Sequence, residues 1–266
     1  MIDAEAPGDR KPYSRQFYEQ QQEGSFRSAM RVLPHVFELV SPRSVVDVGC
    51  GVGTWLAAAR DLGVSDVFGV DGDYVDRSML RIPAERFRSC DLTKPLRLDR
   101  TFDLALSLEV GEHLPESSAE GFVGSLTSLA PVVLFSAAIP KQSGTNHINE
   151  QWQGWWVDRF HQAGFVALDC IRRRIWEDLA VEWWYAQNCL LMVREGFLQA
   201  SPRLREEWAR SSGLYSIVHP RAYLDRLAIG ERMSPRGLRE WFAAGPVVAG
   251  ATLRRLAGRM TGTKQP

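Results

Sequence analysis

Two periodicities divide the chain. Between residues 44 and 193, short runs rich in Val, Leu and Phe alternate with stretches whose apolar residues recur every three or four positions. The runs predict strands near 44–48, 67–71, 86–90, 102–108, 132–138, 165–171 and 187–193. The longer stretches predict helices over 54–62, 74–80, 117–129 and 150–163. Strands separated by helix-length segments imply parallel pairing with right-handed crossovers. The last two strands are separated only by the Arg172–Gln187 excursion, which fits an antiparallel closing strand, opened by Trp183-Trp184-Tyr185. The predicted fold class is α/β: a doubly wound, seven-stranded, mainly parallel sheet whose last strand is antiparallel.

The flanks read differently. Residues 13–39 carry a helical pattern, with Phe26, Ala29, Met30, Leu33 and Phe37 on one stripe, and Pro34 is expected to bend or restart that helix. Residues 1–12 are polar and predicted to be disordered. After Glu195 the pattern weakens, and Pro202, Pro220, Pro235 and Pro246 divide short helical pieces. The expected organisation is a helical segment over 1–40, a sheet domain over 41–196 and a helical C-terminal extension over 197–266.

Composition narrows the picture. Apolar residues make up 45% of the 266, with nine tryptophans, which supplies a sizeable core. No run of eighteen apolar residues suggests a membrane span, and the acidic start Met-Ile-Asp-Ala-Glu is unlike a secretory signal. Cys50, Cys90, Cys170 and Cys189 are scattered without a CxxC pair, so they read as reduced thiols of a cytoplasmic protein. The net charge is zero but unevenly spread. Residues 1–200 hold 20 Lys and Arg against 27 Asp and Glu, and residues 201–266 hold 12 against 5. An acidic balance over residues 1–200 argues against a surface that tracks phosphates, and hence against nucleic acid. The basic end reads as a solvated helical face.

The chemistry concentrates in Val45-Val-Asp-Val-Gly-Cys-Gly-Val-Gly-Thr-Trp-Leu56. A strand ends in three alternating glycines, Gly49, Gly51 and Gly53, and passes into a helix, leaving the backbone bare where a nucleotide-like ligand comes close. The spacing is GxGxG, and Asp47 stands just ahead of it, where it can accept from a ligand ammonium or orient the turn. Asp71 follows Gly51 by twenty residues, the offset of a carboxylate that grips a ribose diol. The pattern resembles S-adenosylmethionine (SAM) dependent methyltransferases of the Rossmann-like class. Arg88-Ser-Cys-Asp-Leu92 is similar to that family's adenine-contacting segment, and Phe102 to Pro115, including Ser107-Leu-Glu-Val-Gly-Glu-His113, to its fourth-strand motif. The resemblance implies SAM as cofactor. Asp71 and Gly72 would meet the ribose, Asp91 and Leu92 the adenine, and Leu108 and Glu109 the sulfonium. It also implies that the segment holding Tyr13, Tyr18 and Ser25 folds over the donor as a lid.

For an acceptor hydroxyl a base helps, and histidine has suitable intrinsic acidity. His147, in Asn146-His-Ile-Asn-Glu-Gln-Trp152, lies in a polar loop after the fifth strand and is read as an acceptor-site residue. His113, within Glu109-Val-Gly-Glu-His113, is read as local architecture beside the donor, and Glu109 joins the catalytic candidates. A metal reading competes. Glu109, Glu112 and His113 would share a helical face and with His147 form a Mg²⁺ or Mn²⁺ set, which resembles the cluster of methyltransferases that modify the terminal ribose of small RNAs. Trp152 and Trp156, at helical spacing, read as core.

Ser136-Ala-Ala-Ile-Pro-Lys-Gln142, the His147 segment and Val181-Glu-Trp-Trp-Tyr-Ala-Gln-Asn188 further resemble a bacterial group of small-molecule methyltransferases, over about residues 13–193. That resemblance implies methyl transfer to a hydroxyl of a small polar acceptor such as a sugar or polysaccharide precursor. The alternatives are a metal-dependent RNA ribose methyltransferase and a small-molecule N-methyltransferase. A homo-oligomer stays open.

Overall fold

The computed structural model describes residues 15–142 and 144–233. Seven strands form one sheet: β1 Ser44–Val48, β2 Asp66–Asp71, β3 Phe87–Ser89, β4 Leu104–Leu108, β5 Val132–Ser136, β6 Phe165–Leu168 and β7 Leu190–Arg194. Their order is β3-β2-β1-β4-β5-β7-β6. The β1 strand runs parallel to both β2 and β4 (Val45 opposite Val67 and Leu104), whereas β7 is antiparallel to β5 and β6, with Met192 opposite Val133 and Ala167. The order reverses at β1 and β4, and there the loops after two neighbouring strands part and open a crevice at the carboxyl edge.

The central strands are unbroken apolar runs because helices cover both faces. Successive residues alternate between them. Val45, Leu104 and Leu134 pack towards α1 (Arg15–Val40) and α2 (Thr54–Asp61), meeting Ala29, Leu33 and Leu56. Val46, Ala105 and Val133 face the other way, onto Phe122 and Leu126 of α3 (Ala119–Leu129) and Trp156 and Phe160 of α4 (Gln153–Gln162). Truncating such a buried ring to alanine costs about 3–5 kcal/mol.

Several expectations need correction. The helix foreseen at 74–80 is only a 3-10 turn, Arg77–Met79. Asp76 accepts from Ser78 N and Oγ (3.0 and 2.7 Å), a local bond that competes with helix propagation. Trp183-Trp184-Tyr185 does not open a strand. It begins α6, Trp183–Asn188, where Cys189 N donates to Tyr185 O at 3.0 Å, so tertiary packing overrides aromatic strand propensity. Pro34 does not restart α1, which runs on to Val40. Trp152 is exposed rather than core, and Trp156 is buried.

The chain after β7 continues as α7 (Glu195–Ala200) and α8 (Pro202–Ala209), which bury Leu198 and Leu204 in the sheet's core. The short helix α5 (Arg172–Ile175) carries Arg172, which is fully buried. Its guanidinium grips Asp169 through two bonds (2.7 and 2.6 Å) and donates to the carbonyls of Gln187 (3.2 Å) and Tyr215 (2.7 Å). By contact, the described chain divides between His219 and Pro220, and α9 (Pro220–Met233) belongs to the second unit. Among the described residues no helix is long and apolar enough to cross a membrane.

Candidate active site

At one end of the crevice the backbone itself makes the site. Gly49, Gly51 and Gly53 all have positive φ (87, 54 and 83°), the region where a Cβ is strained. Their surroundings differ. A Cβ on Gly49 would collide with Val110, so this glycine admits the neighbouring strand's loop. A Cβ on Gly51 would meet nothing within 4 Å, which marks open space. A Cβ on Gly53 would come within 3.1 Å of Ile82. Asp71, at the tip of β2, accepts from Gly51 N and Gly72 N, both at 2.6 Å, and from Tyr74 Oη at 2.5 Å. Burial raises the Asp71 carboxyl above its usual range while these donors pull it back. Asp47, equally buried, is raised further, by desolvation first and the Asp71 charge second.

At the other end side chains make the site. Glu109 closes β4 with φ of 56°, a left-handed conformation rare outside glycine. Its oxygens accept from Gln142 Nε2 (2.8 Å) and Asn188 Nδ2 (3.2 Å). It keeps part of its surface open, yet lies deep enough that burial pushes its carboxyl up to about 7. Glu112, in the following 3-10 turn Gly111–His113, is wholly buried, and neither carboxyl oxygen has a hydrogen-bond partner. Desolvation, then the Glu109 charge, raises it well above the usual range.

The loop after β5 folds back onto this turn. Ile148 N and Asn149 N both donate to Glu112 O (2.9 and 3.0 Å). That clamp sets the His113 and His147 rings edge to face, 4.9 Å apart. His147 Nδ1 bonds Glu150 Oε1 at 3.0 Å, and a Cβ on Gly144 would collide with His147 Nε2, so a glycine at 144 is what lets the ring lie there. His113 Nδ1 lies 3.4 Å from Asn146 O, and burial, followed by His147, lowers its pKa. Glu112, His113 and His147 each offer one ligand atom, all within 4.8 Å of one another. Glu109 stands outside that group.

The remaining candidates scatter. Leu92 and Leu108 are buried. Asp91 is exposed and caps its own turn through Thr93 N (3.0 Å) and Thr93 Oγ1 (2.6 Å), with Lys94 at 3.1 Å. Ser25 Oγ, on α1, lies 3.1 Å from Tyr185 Oη. Tyr13 and the Tyr18 side chain lie outside the described residues.

The model of a methyltransferase domain matches residues 18–190, a span that includes the glycine turn, all four acids and both histidines. The chain belongs to the methyltransferase-domain family. No curated protein matches. Solved structures of methyltransferases share the fold at low identity. The sugar N-methyltransferase KedS8 from Streptoalloteichus is 14% identical, with 73% of this chain and 98% of that one covered and a TM-score of 0.57. Magnesium protoporphyrin IX methyltransferase from Synechocystis with bound SAH (S-adenosylhomocysteine) is 18% identical, with 71% and 90% covered and a TM-score of 0.50. Human N-acetylserotonin methyltransferase in complex with SAM is 16% identical over 67% of this chain, which spans 55% of that protein, at a TM-score of 0.49.

Within this methyltransferase domain, four residues at the site were not singled out by sequence reasoning: Tyr74, Gln142, Glu150 and Asn188. Glu150 was within reach, since it follows His147 by three residues and a carboxylate at that distance orients an imidazole. Gln142 and Asn188 carried no periodic signal. Only the fold brings these amides, from the loop after β5 and the end of α6, to one carboxylate.

Proposed function

We propose that this methyltransferase-domain protein binds S-adenosylmethionine in the crevice between β1 and β4 and transfers its methyl group to a hydroxyl of a small polar acceptor. One observation carries the reading. Asp47, Asp71, Glu109 and Glu112 are gathered at one carboxyl edge, and none of them takes part in an ion pair among the described residues. Burial without a counter-cation pushes these carboxyls towards their protonated forms, and a cationic ligand would restore the anions and be attracted by them. A sulfonium nucleoside with an ammonium tail is such a ligand, and a pyrophosphate is not.

The sulfonium supplies an already activated methyl group, so the residues' work is orientation, exclusion of water and removal of one proton. Asp71 would hold the ribose hydroxyls, with one lone pair beyond those its three donors use and a second freed if the Tyr74 hydroxyl turns away. Gly51 leaves the room for that approach. Asp47 and Leu108 would form the floor under the methionine part, and Leu92 a wall for the base. His147 would accept the acceptor's proton at Nε2, with Glu150 holding Nδ1 and offsetting the charge that develops. Titrating SAM into the purified protein by calorimetry tests the donor half, and absence of binding by the folded protein would sink it. Labelled SAM with a panel of sugars and glycosylated metabolites, read by mass spectrometry, tests the acceptor half.

A second reading has its own observation, the convergence of Glu112, His113 and His147. Two imidazoles and an otherwise unpartnered carboxylate would suit a divalent ion, with Glu150 as the outer carboxylate on His147. Elemental analysis after dialysis against Mn²⁺ tests it. An unmetallated protein, active in chelator, would set it aside and with it the RNA ribose alternative. Methylation of an amine would need no proton acceptor in the transfer step, so insensitivity of turnover to His147→Ala would favour an N-methyltransferase.

A further inference from the structure

The network behind Glu109 has a direction. Ile139 N, a main-chain donor that cannot reverse, donates to Gln142 Oε1 (3.2 Å), and His219 N donates to Gln187 Oε1 (2.9 Å). Those two bonds fix which end of each amide is oxygen. Gln187 Nε2 then donates to Gln142 Oε1 (3.1 Å) and Asn188 Oδ1 (3.0 Å). Gln142 Nε2 and Asn188 Nδ2 are left to face Glu109, one on each oxygen. Every amide in the chain is thus turned so that N–H groups end on one carboxylate. Linked dipoles of this kind strengthen one another in a low-dielectric interior and favour the anion.

The carboxylate so held sits where a donor's sulfur would come. Val110, the next residue, packs against Gly49 of the β1 turn. Tyr185, whose hydroxyl feels the Glu109 charge, packs edge-on against Trp55 of α2 at 5.0 Å. Glu109 is therefore bracketed by the glycine turn and its helix on one side and the amide fork on the other. Beside it the wholly buried, unpartnered carboxyl of Glu112 also points to a ligand.

We propose that Glu109, pinned by Gln142 and Asn188, makes this site prefer the charged donor to its neutral, demethylated product. The inference rests on the reading of the crevice as a SAM site. SAM and SAH differ by one methyl group and one positive charge, so a carboxylate within several ångströms of the sulfur attracts one and hardly acts on the other, and the sulfonium in turn favours the ionised form of Glu109. Gln142 and Asn188 are positioning residues: they hold the charge and touch no ligand.

The test is calorimetric affinity for SAM and SAH, measured side by side on the full chain. Glu109→Gln is expected to weaken SAM roughly tenfold or more while SAH stays within about threefold, because an amide keeps the shape and loses the charge. Gln142→Leu should move the SAM to SAH ratio in the same direction by a smaller factor, with the melting temperature checking that the fold holds. A parallel loss of both ligands would assign Glu109 a structural role and overturn the inference, as would an unchanged ratio accompanied by lost turnover, which would move Glu109 to the acceptor. If the folded parent protein binds neither compound, the SAM reading itself fails.

Discussion

The two ends of the crevice are built from different materials. At the β1–β2 end the donors to Asp71 are mostly main-chain groups, Gly51 N and Gly72 N, and the shape is set by φ angles that only glycine takes without strain. At the β4–β5 end the contacts are between side chains from three separate segments: Glu109 after β4, Gln142 and the His147–Glu150 pair after β5, and Asn188 at the end of α6. Two of the loop residues there, Lys141 and Asn146, also take positive φ, at 70° and 59°. A main-chain site tolerates sequence change everywhere except at its glycines and acids. A side-chain site can be rebuilt residue by residue, which suits the end that must differ from one acceptor to the next.

The largest expected effect lies at the side-chain end. His147→Ala should cut turnover by roughly 100- to 10,000-fold, the range for a lost general base, with SAM affinity near normal. Weakened SAM binding in that variant would mean the two ends are not separable. Asp71→Ala should weaken SAM by roughly 100-fold or more, since it removes a charged acceptor from several bonds. Circular dichroism should show the fold retained, and undiminished affinity would remove the ribose assignment.

The glycines sharpen the comparison. Gly49→Ala sets a Cβ against Val110 in a strained conformation and should cost about 1–3 kcal/mol of stability in a denaturant titration. Gly51→Ala meets open space, so its stability cost should be no more than about 1–2 kcal/mol, and its main effect should fall on SAM binding. Equal behaviour of the two variants would contradict the assignment of one to packing and the other to the ligand.

The smallest effect concerns pH. Asp47 is raised above its unfolded value of 3.8 in the fold. Above that value the folded state holds more protons than the unfolded one, so stability falls as pH rises towards the folded pKa. The ligand-free protein should melt lower at about pH 8 than at about pH 5, and Asp47→Asn should flatten that slope. A slope unchanged by the substitution would assign it to other groups.

The same contrast explains what could be read in the sequence. The seven strands, the glycine turn and the acids at fixed offsets are local patterns, and local patterns survive in one dimension. The alternation of Val45 and Val46 between two cores follows from the strand period alone. What escaped reading depended on distant partners. Nothing near Trp183 says that this aromatic stretch will coil into a helix, because the reason is its packing against α1 and the first turn of α2, through Ser25 and Trp55. Asn188 gives no hint of Glu109, 79 positions earlier. The approach of Val110 to Gly49 was equally hidden, since a loop from another strand cannot be seen from the turn it covers.

Arg172 decides where this chain can be shortened. Its guanidinium is neutralised from within by Asp169 but also fastened to the carbonyl of Tyr215, on a stretch that follows the last strand by some twenty residues. A protein stopped after Ala209 would keep every strand and the Arg172–Asp169 pair but take the Tyr215 acceptor from a buried guanidinium, at a cost of about 1–3 kcal/mol, a substantial part of the stability of an ordinary domain. Truncations meant for crystallography or for fusion should therefore retain His219.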